Sequence, residues 1–156
     1  MKTWLNFIGV LLLATAVAHP SSAGGSQIAG DAKSPSVAIS FDVVHASSSD
    51  SGGIPDSLKK YGKYLRRAGS ENWKFLAKNP TKPVPGTPKT VKLPGKLGKA
   101  IISLDAKGVA TVKIMDNRGK SLGSYRSSRF PLVIANQRLR IDGKPYVLIL
   151  DRSKKK

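Results

Sequence analysis

The sequence predicts an α+β domain in which a strand–helix–strand unit runs into a mostly antiparallel β-meander. Three observations carry that reading. An alternating apolar segment lies at residues 37–44. A helical apolar stripe follows at residues 55–68. From Thr90 onward, short apolar runs are separated by turns that carry Asp and Gly, with no further helical period.

In the first strand, Val37, Ile39, Phe41 and Val43 fall on one face and Ser40 and Asp42 on the other, the pattern of a half-buried strand. Residues 45–53, rich in Ser, Asp and Gly, read as a loop. The helix is expected over 55–68. Pro55 suits the first turn, Asp56 sits at the positive end of the helix dipole, and Leu58, Tyr61, Leu65 and Ala68 recur at helical spacing. Gly69 is a fitting stop. Gly62 weakens the middle by about 1 kcal/mol against Ala, so packing must hold this helix. A second strand is expected over 73–77, with Trp73, Phe75 and Ala77 alternating against Lys74 and Leu76. Strand, helix and strand so close together suggest a right-handed crossover between parallel neighbours; an antiparallel pair with the helix packed over it stays open.

Residues 79–89 hold Pro80, Pro83, Pro85 and Pro88, which cannot donate to a ladder, so they read as an extended connector inside the domain. Strands are then expected at 90–93, 100–104, 109–115, 121–126, 130–134 and 146–150. Turn residues at 105–108, 116–119 and 142–145 join three pairs of them. The single domain spans 37–151, and 152–156 form a basic tail.

The beginning of the chain argues export. Lys2 precedes a run from Trp4 to Ala18 that is apolar apart from Asn6 and Thr15. That run falls short of the roughly 20 residues a membrane span needs, and it suits a signal-peptide core. Small residues permit cleavage after Ala18 or after Ala23. The second is preferred, because His19-Pro20 would put a proline beside the first scissile bond. Residues 1–23 thus read as a signal peptide and 24–36, rich in Gly, Ser and Ala, as a flexible lead-in. The expected location is periplasmic or secreted.

Lys and Arg number 27 against nine Asp and Glu, a net charge of +18, and cysteine is absent. No disulfide framework, thiol nucleophile or thiolate metal site is therefore available. On the helix, Lys59, Lys60, Lys63, Arg66 and Arg67 lie off the apolar stripe, and Lys74 follows on the next strand. Lys59 with Lys63, and Lys63 with Arg67, are like charges four apart, which destabilises a helix slightly. These six residues are the candidate surface for an anionic envelope component or an acidic partner protein. Nucleic acid is disfavoured by export and by the lack of a binding signature. Of the nearby rings, Tyr61, Trp73 and Phe75 fall at inward positions, which leaves Tyr64 as the exposed one. The helix stripe is narrow and includes Ala68, which suits a core better than a membrane-surface amphipath. Contact of the basic face with a membrane surface stays open, and no span is expected in the mature chain.

Catalytic patterns are sparse. Ser57-Leu58-Lys59-Lys60 matches Ser-x-x-Lys but lacks the partner motifs of that chemistry. Asp42, His45 and Asp50 form the nearest cluster of metal-ligand types. Asp42 and His45 would point to opposite sides of a continuing strand, and the mature chain offers His45 alone, a shortage that argues against both a metal site and a Ser-His-Asp triad. Asp105, Asp116 and Asp142 each precede a glycine and serve turns. No cofactor is expected.

Val44-His45-Ala46-Ser47, Ile54-Pro55-Asp56-Ser57-Leu58 with Leu65, Trp73-Lys74-Phe75-Leu76, Val91-Lys92-Leu93-Pro94-Gly95 and Pro145-Tyr146-Val147-Leu148-Ile149-Leu150 together resemble small exported bacterial proteins of no known activity. The resemblance implies a strand–helix–strand unit leading into a β-meander, and a bacterial envelope location. It brings no catalytic residue. The functional expectation is a non-enzymatic exported binding module. The alternatives are a structural or assembly subunit of an envelope complex and a small hydrolase built around His45 or a Ser–Lys pair.

Overall fold

The computed structural model describes residues 38–153, which form eight strands and one short helical segment. The strands are β1 (Phe41–Ser48), β2 (Trp73–Thr81), β3 (Lys89–Lys92), β4 (Lys99–Leu104), β5 (Ala110–Met115), β6 (Ser121–Ser127), β7 (Leu132–Ile141) and β8 (Lys144–Arg152). Between β1 and β2, a 3₁₀ segment (Asp56–Tyr61) leads into α1 (Gly62–Arg67). The segments expected to be a signal peptide (1–23) and a lead-in (24–36), Val37 and the last three lysines lie outside the described residues.

The strands make two antiparallel sheets of four, ordered β2-β1-β8-β7 and β3-β4-β5-β6. The second sheet is the expected meander. The β7–β8 hairpin then joins the first sheet by pairing β8 with β1. The main core lies between the sheets, where Phe41, Val43, Tyr146, Leu148 and Leu150 meet Ala100, Ile102, Val112 and Ile114. A second core lies on the outer face of the first sheet. There Leu58, Tyr61 and Leu65 of the helical segment pack on Val44, Ala46, Trp73, Val147 and Ile149. The fold is therefore mostly β, with the helix as a third layer.

That layering corrects several expectations. β1 begins at Phe41 and runs on through His45–Ser48, which the sequence placed in a loop. Polar Ser47 and Ser48 stay in the strand because β1 is central and pairs with β2 on one side and β8 on the other. Backbone pairing on both sides outweighs side-chain polarity there. The same centrality buries both faces of β1, so Phe41 and Val43 face one core and Val44 and Ala46 the other.

β1 and β2 pair antiparallel, and no parallel crossover forms. The helical segment is an insertion in a long hairpin whose strands leave and return at the same end, where Ser48 opposes Trp73. Hydrogen bonds from Ser49 N to Asn72 O (3.0 Å) and from Trp73 N to Gly53 O (2.8 Å) close its base.

β2 also departs from its expected pattern. His45 opposes Ala77 and Ala46 opposes Phe75, so Leu76 is an extra residue, a β-bulge. The bulge breaks the alternation after Phe75: Trp73 and Phe75, opposite Ser48 and Ala46, share the helix-bearing face, whereas Ala77, opposite His45, falls on the other. Trp73 is buried under the helix, Leu76 packs toward the inter-sheet core, and Phe75 is 37% exposed rather than buried. Tyr64, the ring expected to be exposed, is half-buried. β2 further takes in Asn79, Pro80 and Thr81 from the expected connector; Pro80 is tolerated because β2 is an edge strand.

β7 runs to Ile141, beyond the expected 130–134. Its polar stretch Asn136-Gln137-Arg138 obscures the strand in the sequence, but Leu139 is buried. Asn136 Nδ2 reaches across to β6, donating to Leu122 O (3.2 Å) and Tyr125 Oη (2.6 Å), which ties the two sheets at that side. On the opposite side, edges β2 and β3 leave a groove.

Candidate functional site

The helix stripe behaves as its spacing demands. Leu58, Tyr61 and Leu65 are buried, and the charged side chains point outward. Half of the six candidate cations are tied to carboxylates. Lys59 Nζ lies 2.6 Å from Asp56, Lys60 Nζ 2.7 Å from Asp151 and Arg66 Nε 3.3 Å from Glu71. Lys63 Nζ lies over the Tyr64 ring, 4.9 Å from its centroid. Arg67 instead lines a cavity of about 220 Å³ with Arg140, Asn136 and Gln137. Lys74 opposes Ser47 on the face of the first sheet turned away from the helix. The six therefore do not share one face: five ride on the helical segment and Lys74 lies beyond the sheet.

Lys60, the lysine of the Ser-x-x-Lys match, is drawn to Asp151 rather than to Ser57. Burial alone would lower its pKa, but the hydrogen bonds and charges of Asp151 and Tyr61 outweigh that and hold the ammonium above its ordinary value. A lysine that keeps its proton this firmly is a poor base for Ser57.

His45 and Asp42 do fall on opposite faces, as strand alternation requires, and Asp50 is drawn to Lys144 at 2.6 Å. Among the described residues, no group of three or more His, Asp or Glu is placed to hold a metal ion. His45 is instead part of a polar chain, running from buried Tyr146 to exposed Asn79, that the sequence does not reveal. Its Nδ1 lies 2.6 Å from Tyr146 Oη and its Nε2 lies 3.0 Å from Asn79 Nδ2. With the Asn79 amide donating, Nε2 accepts and the ring proton sits on Nδ1, facing the tyrosine. Burial lowers the His45 pKa to about 4 and pushes the Tyr146 phenol up, so both are neutral near pH 7. A neutral imidazole between a phenol and an amide is a structural link across three strands. Among the described residues, its hydrogen-bond partners are Tyr146 and Asn79, and no carboxylate bonds to it. His45 itself lines a groove of about 420 Å³ together with Leu76, Asn79, Leu93 and Pro94.

The outer face of the second sheet is the remaining candidate. Alternation turns Ala100, Ile102, Leu104, Val112 and Ile114 inward, so Lys99, Ile101, Ser103, Thr111, Lys113 and Met115 face outward. Register places Lys92 directly opposite Lys99, Lys113 opposite Ser124 and Arg126 opposite Thr111. None of the six ion pairs among the described residues involves Lys92, Lys99 or Lys113. Arg126 pairs with Asp105 at 3.0 Å. The sequence contains these cations, but only strand register shows that they share a face.

Fold and surfaces together define a strongly basic β-sandwich with a helix covering one sheet. Compared with protein-family models, curated proteins and solved structures, the chain matches none. No helix among the described residues is long and apolar enough to cross a membrane.

Proposed function

We propose that this protein is an exported, non-enzymatic module that binds an anionic envelope component or an acidic partner through its surface charge. The observation that carries the reading is the uncompensated charge. Six carboxylates, Asp42, Asp50, Asp56, Glu71, Asp105 and Asp151, are already engaged in ion pairs, yet the chain retains a net charge of +18. Such a surface repels itself and raises the local concentration of anions, an arrangement favoured when the partner supplies the missing charge. The apolar opening of the chain and the resemblance to small exported bacterial proteins support an extracytoplasmic site of action.

The test combines processing and binding. Protein recovered from the producing cell is expected outside the cytoplasm with Gly24 as its first residue. It is expected to bind immobilised heparin or lipopolysaccharide at about 0.05 M salt and to elute steeply as salt rises. Intact protein with Met1 in the cytosol would sink the export reading, and passage through both columns at low salt would sink the binding reading.

One observation favours the assembly role as a second reading. β2 is an edge strand, and it carries Phe75, the exposed large hydrophobic side chain among the described residues. Self-association of the purified protein that persists at high salt would support it.

A further inference from the structure

We infer that the binding surface is the outer face of the second sheet, and that it takes a linear anionic polysaccharide. This rests on the charge-binding reading above and gives it a place and a ligand class.

The strand register sets out the geometry. Lys92 on β3 and Lys99 on β4 are direct cross-strand neighbours. Lys113 on β5 opposes Ile101, one outward step along from Lys99, and Arg126 on β6 opposes Thr111, one outward step further. The four cations therefore cross the sheet as a diagonal stripe, one per strand. With strands about 4.8 Å apart and outward positions about 7 Å apart, the stripe is roughly 20 Å long at the backbone. All four residues are exposed.

Two features mark the stripe as more than a solvated surface. Like charges directly opposite each other destabilise a sheet, and Lys92 opposite Lys99 is such a pair, with no ion pair to either among the described residues. Two acids lie nearby: Asp105 pairs with Arg126, and Asp116 lines a hollow with Lys92 and Lys99 without pairing to either, so three of the four cations keep their charge uncompensated by an ion pair among the described residues. Asp116 accepts from the backbone N–H groups of Arg118 and Lys120, and Asp105 accepts from those of Lys107 and Val109 as well as from Arg126. A local arrangement that costs stability is a reason to look for a ligand that relieves it.

The chemistry between the cations selects the ligand class. Thr90, Ser103, Thr111 and Ser124 share the outward face and offer hydroxyls. No aromatic ring on the strands faces outward there; Tyr125 opposes buried Val112 and its hydroxyl is bonded to Asn136. Bases would have no platform on which to stack. Ile101 and Met115 are the apolar outward side chains, too little for insertion among lipids. A flat row of ammonium and hydroxyl groups fits an extended chain of sugars bearing carboxylate or sulfate groups, held by charge-assisted hydrogen bonds.

The experiment compares two triple variants of equal charge loss. One is Lys92→Gln/Lys99→Gln/Lys113→Gln, and the other is Lys59→Gln/Lys63→Gln/Arg67→Gln on the helix. Binding is measured to heparin and to polygalacturonate across a salt series. The sheet triple is expected to weaken binding by about tenfold or more and to flatten the dependence of log Kd on log salt. The helix triple is expected to change Kd by less than about threefold. The sheet triple is also expected to melt no lower than the parent, because the Lys92–Lys99 repulsion is gone. Should it fail to fold, protection of the parent's lysines from acetylation by bound heparin decides the matter: Lys92, Lys99 and Lys113 protected, Lys59 and Lys63 labelled.

Equal loss in the two triples, or protection of the helix lysines instead, overturns the sheet assignment while leaving charge binding intact. Tighter binding to single-stranded DNA, to anionic lipid vesicles or to an acidic protein than to either polysaccharide overturns the ligand class. No binding of the parent to any of these defeats the charge-binding reading itself.

Discussion

His45 illustrates how a single residue changes meaning once it is placed. In the sequence it stands at the edge of a Ser-rich stretch; in the fold it is 1% exposed between Tyr146 and Asn79. Burial holds its pKa near 4, below the ordinary 6.5, so the folded state resists a proton that the unfolded chain accepts. Stability is therefore complete above about pH 6.5, falls as pH drops from there to about 4, and loses nothing further from this group below that. The total is on the order of 3 kcal/mol. A His45→Gln variant is expected to be less stable at pH 8 but to show a flatter decline between pH 6.5 and 4, as read by urea unfolding at several pH values. An unchanged slope would show that carboxylate protonation alone governs acid sensitivity.

At the scale of elements, the helical segment and the tight turns depend on different forces. The helical segment opens as a 3₁₀ turn, contains Gly62 and has no side-chain cap at its start, so burial of its apolar stripe must hold it. Leu65 is fully buried against the first sheet. Leu65→Ala is expected to cost about 3 kcal/mol, seen as a lower urea midpoint. The β3–β4 turn depends on backbone approach. Gly98 has φ 77°, and a Cβ there would collide with the Met115 carbonyl oxygen and the Asp116 backbone. Gly119, at φ 81°, has open space around the same position. Gly119→Ala is thus expected to cost only the strain of a left-handed residue, about 1 kcal/mol. Gly98→Ala should cost clearly more, because two backbones must move apart. Equal midpoints for the two variants would remove the close-approach argument.

Strand existence was legible in the meander because alternation and turn residues agree there. Asp142 and Gly143, both at positive φ, close the β7–β8 hairpin where the Asp-Gly pair stands in the sequence. Strand extent was less legible. His45–Ser48 and Asn136–Ile141 are strands because their neighbours pair with them, and polarity alone misreads such segments. The bulge at Leu76 left no signal in the alternation, and Phe75 is exposed although it shares the face of buried Trp73, because the sequence does not show how far the helical segment covers that face.

For the whole molecule, charge is the property that composition states and geometry distributes. The expected basic helix face is only partly available, since Lys59, Lys60 and Arg66 meet carboxylates, one of them, Asp151, at the far end of the chain. The cations of the second sheet are spread from Lys92 to Arg126 in sequence yet align across four strands. The comparison of sheet and helix triples belongs to this scale, because both variants have the same net charge and differ only in where it was removed. A chain acting through net charge alone would not distinguish them.

Taken alone, the amino-acid order determined the short-range features: apolar alternation, the helix stripe, the turns, the excess of cations and the absence of thiol chemistry. These depend on residues within a few positions of one another. Tertiary structure alone decided the antiparallel pairing of β1 with β2, the placement of β8 beside β1, the His45–Tyr146 link and the alignment of the lysine stripe. Each of those depends on register between segments distant along the chain, and a shift of one residue would turn every side chain to the opposite face.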